Sequence, residues 1–551
     1  MWQLTSPLAV LSLLCLFTET LGQQCSAVYP HLSCGIELHD ESEERCIQKG
    51  CCWDSDTTAQ HRCFAPVIYG YAFSPSSSST PGITEGSLRL NKPSGLQLGN
   101  SADYEELKLE LTQETPSRTH LKIYPPSDPD RWQVPEFLLS RQGGVYSGCD
   151  ALTQSRIISQ PDGDDTFDSM MLLLTRTATS ASHDEVQKET EAHSGEMIFA
   201  LTKMLVFQDQ YLQFVLGTPS DTVATFGLGE SSRLTQQLEV NTTYTLWNTD
   251  DPASIFNKTL YGSHPFFVQV SASGQAHGVL FLNSNGMDVT VSSSTEQGDT
   301  IGFQATGGVL DMYIFAGPTP EAVVQQYLAS LDIFPAMVPR WSLGFHNCRW
   351  GYENLAEVQA VVANYSAAEI PLEVQWLDID YMDRYLDFTL DPVNYPQAEV
   401  EEFITQLHTQ QQYFVPILDP AISAREAPGT YSAYDDGLAQ NVFVRDLNGV
   451  DPYLGQVWPG PALFPDFFAA NASSYWQEQL QGFYKLAKYD GIWIDMNEAS
   501  NFCNYGGGAQ GMDMLPLYFC FVRCMSDNLF CFVLFCYIVF VVVVLLYNIS
   551  V

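Results

Sequence analysis

The sequence predicts a multidomain protein: a small disulfide-rich module, then a large β-sandwich, then a parallel α/β unit of barrel type. Three observations carry this reading. Cysteines crowd into 25–63, short segments of alternating polarity fill 67–336, and beyond 338 apolar strands are separated by longer helical stretches. With 551 residues, 45% of them hydrophobic, the chain has room for several cores. Lys and Arg total 24 against 64 Asp and Glu, a net charge of −40. Such a surface argues against nucleic acid as a partner and suits an uncharged substrate. It repels itself least where some carboxylates protonate, a weak pointer to an acidic compartment.

Residues 1–22 contain the apolar run Leu8-Ala9-Val10-Leu11-Ser12-Leu13-Leu14-Cys15-Leu16-Phe17, then small residues at Thr20 and Gly22. This reads as a cleavable signal peptide, too short to span a bilayer, so a secretory route is expected. Asn-x-Ser/Thr sites at Asn241, Asn257, Asn364, Asn471 and Asn548 permit glycosylation on that route. Cys25, Cys34, Cys46, Cys51, Cys52 and Cys63 fall in a segment with too little core to fold without staples. Zinc is the competing reading, but adjacent Cys51-Cys52 and the lack of paired C-x-x-C spacing disfavour it. Six cysteines allow fifteen pairings.

In 67–336, Leu107-Lys108-Leu109-Glu110-Leu111 and His120-Leu121-Lys122-Ile123-Tyr124 alternate with period two, as half-buried strands do. Val279 to Leu282 and Val309 to Phe315 are strand-like too, and many strands with little helix give a β-sandwich. Ser74 to Pro81 is expected to be an exposed loop. From 338 the rhythm changes. A strand at Trp341–His346 precedes a helix over Asn354–Ala368, and a strand at Leu372–Asp378 precedes a helix over Ala398–Gln410. A third strand, Tyr413–Asp419, is followed by a long loop, a helix over Ser473–Lys488 and the strand leading to Asp495. A βαβα series implies a parallel sheet.

Three of these strands end in an acid: Asp378, Asp419 and Asp495. One Asp after a strand is usually a cap or turn residue. Three of them, each on the side where βα repeats gather their strand ends, point to a shared cleft. Trp350, Trp376, Trp458 and Trp493 accompany them. Indole faces cover the apolar faces of a pyranose while carboxylates take its hydroxyls, and carboxylates are also the agents of glycoside hydrolysis. Taken singly, each tryptophan is as well read as core. A metal at Asp378, Asp380 and Asp383 is the competing chemistry, but this spacing lacks the glycine and distal glutamate of a calcium loop, and no His cluster accompanies it.

Gly491-Ile492-Trp493-Ile494-Asp495-Met496-Asn497-Glu498 resembles the active-site signature of glycoside hydrolase family 31. The resemblance extends through Gly227–Glu230, Tyr261–Phe266, Leu282–Asn285, Trp376–Asp383, Asp419–Ile422 and Val457–Gly460. Arg45 to Asp54 resembles a P-type, or trefoil, domain over 24–66, whose pattern implies the pairs Cys25–Cys52, Cys34–Cys51 and Cys46–Cys63. Together these resemble the trefoil-containing animal α-glucosidases, most closely the lysosomal type. The resemblance implies a galactose mutarotase-like sandwich at 67–336 and the first half of a (β/α)8 barrel at 338–502. It further implies cofactor-free, retaining hydrolysis of terminal non-reducing α-1,4-linked glucose from maltose- or glycogen-type chains, in a lysosomal or extracellular setting. Asp495 would be the nucleophile and Glu498 its support. Asp378, Asp250, Trp350, Ile422, Trp458 and Met496 would bind the sugar. Spacing by itself does not choose between Asp495 and Glu498.

Retention needs a second carboxylate about 5–5.5 Å from the nucleophile. In the family that acid comes from a later barrel strand, and similarity is expected to end near Phe502. Residues 503–551 read as a tail foreign to the family, and the uncharged, apolar run 529–547 is long enough to span a membrane. Translated intron and a membrane-tethered isoform both account for it. Two functions are therefore carried forward: an α-glucosidase by descent, impaired without its acid, and a non-catalytic glycan-binding or unstable isoform.

Overall fold

Why the sandwich forms is visible along one strand. In Glu106–Thr115 the leucines at 107, 109 and 111 are buried while the residues between them are not, so one face is apolar and needs a cover. The computed structural model describes residues 42–48, 51–53, 63–65, 69–76, 80–92, 96, 98, 101–135, 145–147, 151–157, 170–177, 196–248, 259–294, 298–331, 334–446, 449–497 and 500–502. They fall in two units, Met1–Phe334 and Pro335–Val551.

In the first unit, a seven-stranded antiparallel sheet runs in the order Thr242–Leu246, Met287–Ser294, Gly298–Ala305, Tyr211–Gly217, Met197–Gln208, Met170–Arg176 and Thr153–Ile157. An eight-stranded one runs Thr222–Ser231, Thr259–Ser271, Ala276–Phe281, Leu310–Phe315, Arg118–Tyr124, Glu106–Thr115, Ile83–Asn91 and Gly70–Pro75. Their inner faces share one core, in which Phe214 meets Phe281 of the other sheet edge-on at 5.1 Å and stacks on Phe303 at 4.9 Å. The expected loop at 74–81 begins later than anticipated, because Ser74 and Pro75 continue an edge strand with exposed side chains. Proline is tolerated there because an edge strand does not need every N–H.

Ahead of the sandwich, a helix at Glu43–Gln48 and the hairpin Cys52–Trp53 with Cys63–Phe64 are joined by the Cys46–Cys63 disulfide, Cα atoms 5.6 Å apart. Cys51 and Cys52 are also disulfide-bonded. Cys25 and Cys34 lie outside the described residues, as do the signal-like N-terminus, Asn257, Asn548 and the whole 503–551 tail. Among the described residues no helix is long and apolar enough to cross a membrane.

In the second unit, β1 (His346–Asn347), β2 (Val374–Leu377), β3 (Tyr413–Leu418) and β4 (Trp493–Ile494) form a parallel sheet in chain order. Helices α1 (Leu355–Ala367) and α2 (Gln397–Thr409) bury Leu355, Val358 and Val362, and Val400, Phe403, Ile404 and Leu407, at helical spacing. Asn354 caps α1 by accepting the Glu357 N–H at 3.1 Å.

Two expectations need correction. The strand expected at 341–346 is mostly a 3-10 turn, Arg340–Leu343, entered from Pro339 and left through Gly344, so that only His346 and Asn347 pair. The long loop expected after Asp419 contains a further helix, α3 (Ser432–Gln440), ahead of α4 (Ala472–Ala487). It also contains a three-stranded sheet of Ile422–Ser423, Gly460–Leu463 and Leu454–Val457. Gly437 sits inside α3, where a Cβ would overlap the Phe443 ring packed on the helix.

The sandwich also buries an ionic cluster. His120 Nε2 lies 2.7 Å from Asp311 and Nδ1 3.4 Å from Glu114, and Glu114 also accepts from Arg118 Nε at 2.7 Å. Burial by itself would lower the His120 pKa, but bonds to Asp311 and Glu114 hold it up to about 9. The stabilisation is therefore complete below the unfolded value of about 6.5 and disappears as pH rises through 9. His264 and His277 run the other way: burial pushes them down to about 4 and about 3, so both oppose folding as pH falls below 6.5. Replacing His120 by Gln leaves two buried carboxylates short of a partner, and a loss of about 3 kcal/mol at pH 6 is expected from urea unfolding. The variant should also lack the wild-type decline between pH 7 and 10. A variant as stable as wild type at pH 6 would exclude this role.

Candidate active site

Asp378, Asp419 and Asp495 follow β2, β3 and β4, three adjacent parallel strands. Each is placed by local backbone chemistry. Asp378 caps a 3-10 turn, Ile379–Tyr381, accepting the Ile379 N–H at 2.7 Å. Asp419, 2% exposed, accepts the Ala421 N–H at 3.0 Å. The Asp495 N–H bonds the Leu418 carbonyl at 3.3 Å, tying it to the end of β3.

Their electrostatics agree with this placement. Burial drives Asp419 up to about 7; the Ala421 N–H opposes this, and the charges of Asp495 and Asp378 add to it. Asp378 is raised chiefly by burial, against its bond to Ile379, and further by Asp380. A carboxylate that feels both neighbouring strand ends is what convergence on one side of a parallel sheet produces.

The strand carrying Asp495 was expected to be buried, but Trp493 and Ile494 are half-exposed, since among the described residues β4 pairs only with β3. Met496 has φ +62, a left-handed turn directly after Asp495. Its sulfur accepts from Trp458 Nε1 at 3.0 Å. Trp458 stands at the tip of the hairpin Leu454–Leu463, edge-on to Phe502 at 4.8 Å and 6.2 Å from Trp350. Trp350 and Trp458 are 62% and 41% exposed, so neither is core. Trp376 and Trp493 are half-buried and in contact at 5.4 Å, and Trp376 Nε1 donates to His346 Nδ1 at 2.9 Å. Ile422 is fully buried in its short strand. Asp250 and Glu498 lie outside the described residues.

Asp380 supports the backbone next to the cleft, where it accepts the Gly351 N–H at 2.8 Å and so holds the turn that presents Trp350. Among the described residues no group of three or more His, Cys, Asp or Glu could hold a metal ion. Cys348 is an exposed thiol close enough to feel the charges of Asp378 and Asp380, which oppose its ionisation. One acid was missed in the sequence. Asp387, 1% exposed, belongs to the same neighbourhood, and its only signal was a further Asp downstream of the D-x-D-x-x-D run.

Residues 335–517 match the TIM-barrel domain of glycosyl hydrolases family 31, residues 113–289 that family's N-terminal galactose mutarotase-like domain, and residues 25–66 a trefoil (P-type) domain. The chain belongs to glycoside hydrolase family 31. The family 31 barrel match continues past Phe502 into the region read as a foreign tail. An α-glucosidase of Hordeum vulgare is 41% identical over 426 residues, 76% of this chain and 46% of that protein. Lysosomal α-glucosidase of Mus musculus is 36% identical over 481 residues, 85% of this chain and 46% of its own, and α-xylosidase 1 of Arabidopsis thaliana is 38% identical over 452 residues, 80% and 47%. The chain thus spans about half the length of the curated relatives it matches. Among solved structures, a glucosidase II α subunit bound to Glc1Man2 superposes with a TM-score of 0.62 at 18% identity, covering 84% of this chain and 54% of that one. At that identity the likeness concerns the fold.

Removing the Asp380 carboxylate tests its support of the Trp350 turn. Asp380→Ala should cost about 1–3 kcal/mol in urea unfolding because the Gly351 N–H loses its acceptor, with Asp380→Asn losing less. Equal stability of Asp380→Ala and wild type would mean that this N–H finds another partner.

Proposed function

We infer that this chain carries the nucleophile and part of the sugar pocket of a retaining α-glucosidase. The observation that carries the reading is the placement of Asp378, Asp419 and Asp495 at three adjacent strand ends, with the exposed Trp458 bonded to Met496 next to Asp495. In this reading Asp495 attacks the anomeric carbon of a terminal, non-reducing α-1,4-linked glucose in a maltose- or glycogen-type chain. A C–O bond to the carboxylate forms as the glycosidic C–O bond breaks, and an acid protonates the departing oxygen. Water then attacks the glucosyl-enzyme, releasing glucose and restoring the carboxylate.

Asp378 takes sugar hydroxyls, Trp350, Trp458 and Met496 line the sugar's apolar faces, and Ile422 and Glu498 complete this unit's set by family resemblance. By family resemblance the acid comes from a later barrel strand, and Asp419 is shut away from solvent. No cofactor enters. The signal-like N-terminus and the exposed sequons at Asn241, Asn364 and Asn471 support a secretory route, and the lysosomal relatives favour a lysosomal or extracellular destination.

The test is release of glucose from maltose by the 551-residue chain at pH 4.5 and 7, with an α-xyloside as the competing substrate. Turnover on maltose, reduced about 10⁴-fold or more by Asp495→Ala, supports the enzyme. A folded chain that binds maltose through Trp458 yet never cleaves it would overturn turnover by this chain, leaving a glycan-binding protein. Preference for the xyloside would overturn the substrate assignment.

A further inference from the structure

Asp387 is 1% exposed, and neither of its carboxylate oxygens meets hydrogen-bond geometry with any described group. A buried carboxylate left in that state is costly, and proteins ordinarily satisfy, pair or neutralise it. Three tyrosines are near enough to feel its charge, Tyr381, Tyr431 and Tyr475. All three hydroxyl protons are engaged elsewhere: Tyr381 donates to the Ile417 carbonyl at 2.6 Å, Tyr431 to the backbone carbonyl of Asp387 itself at 3.1 Å, and Tyr475 to the Ala433 carbonyl at 2.7 Å.

Among the described residues no guanidinium or ammonium acts on Asp387. The remaining charged neighbour is Asp419, from the end of β3, and it repels. The backbone N–H groups of Asp387 and Asp419 favour the charged form somewhat, and burial outweighs them, so the group lies well above the usual carboxylate range. With the three tyrosine protons engaged elsewhere and no cation acting on it, this side chain sheds the cost of a buried charge by taking up a proton.

We propose that Asp387 is a positioning residue that stays protonated at neutral pH, a neutral carboxylic acid beside Asp419 that keeps one negative charge out of the strand-end cluster. Ionised, Asp387 would set a further negative charge beside Asp419, which already feels Asp378 and Asp495. As a neutral acid Asp387 adds no charge beside Asp419 at the end of β3, against which Asp495 is tied. The catalytic meaning of this role rests on the glycosidase reading. The protonation itself does not, and its test needs no turnover.

A group protonated in the folded chain and ionised in the unfolded one stabilises fully below about pH 4 and progressively less as pH rises towards its folded value. Urea unfolding of the 551-residue chain between pH 5 and 7 is compared with Asp387→Asn, which mimics the neutral acid, and Asp387→Ala. The unfolding constant of wild type should rise tenfold per pH unit relative to Asp387→Asn, the signature of one proton. At pH 7 the Asn variant should fold at least as stably as wild type, and the Ala variant less stably.

Infrared spectra of the folded wild type at pH 7 should show a protonated-carboxyl C=O band that is missing from Asp387→Asn. Parallel pH profiles together with no such band would overturn the proposal, leaving an ionised Asp387 held by buried water. Loss of maltose turnover with these results intact would instead count against the glycosidase reading alone.

Discussion

Like charges at the ends of neighbouring parallel strands are the constraint on which the second unit depends. A βα repeat places successive strand ends side by side, so acids there are close before any ligand arrives. The chain manages the repulsion with backbone N–H groups, from Ile379 to Asp378 and from Ala421 to Asp419, and by burying Asp419 until its affinity for a proton rises. Asp495 keeps a half-exposed place at the edge, where a charge costs least. The division of labour among three chemically identical side chains is set by surroundings.

Much of this was legible because the signals are periodic. Leu107, Leu109 and Leu111 could only be a strand face, and Val400, Phe403, Ile404 and Leu407 only a helix face. Asp378, Asp419 and Asp495 each stood directly after an apolar strand. What escaped depended on partners distant in sequence. Trp341 to His346 reads as a strand until Pro339 and Gly344 are seen to frame a turn. Asp387 looked like one more polar residue in a loop. Only its burial among three tyrosines whose protons are engaged elsewhere sets it apart.

The two units answer acid differently. In the sandwich, His120 favours folding up to alkaline pH, while His264 and His277 must stay neutral in apolar surroundings and resist acidification. In the barrel unit, protonation of Asp419 relieves crowding. A net charge of −40 points towards an acidic setting, yet the buried histidines put a limit on how acidic that setting can be before the sandwich weakens.

The hairpin Leu454–Leu463 carries one more consequence. The chain leaving Asp495 is fastened to it by three links: Trp458 to the Met496 sulfur, the Phe502 N–H to the Gln456 carbonyl at 2.7 Å, and Asn501 to both the Gln456 N–H and the Tyr453 hydroxyl. The indole wall and the carboxylate strand therefore lose their independent motion together, when the chain folds. In the glycosidase reading an arriving sugar would meet a preorganised corner, and little of its binding energy would go into ordering it.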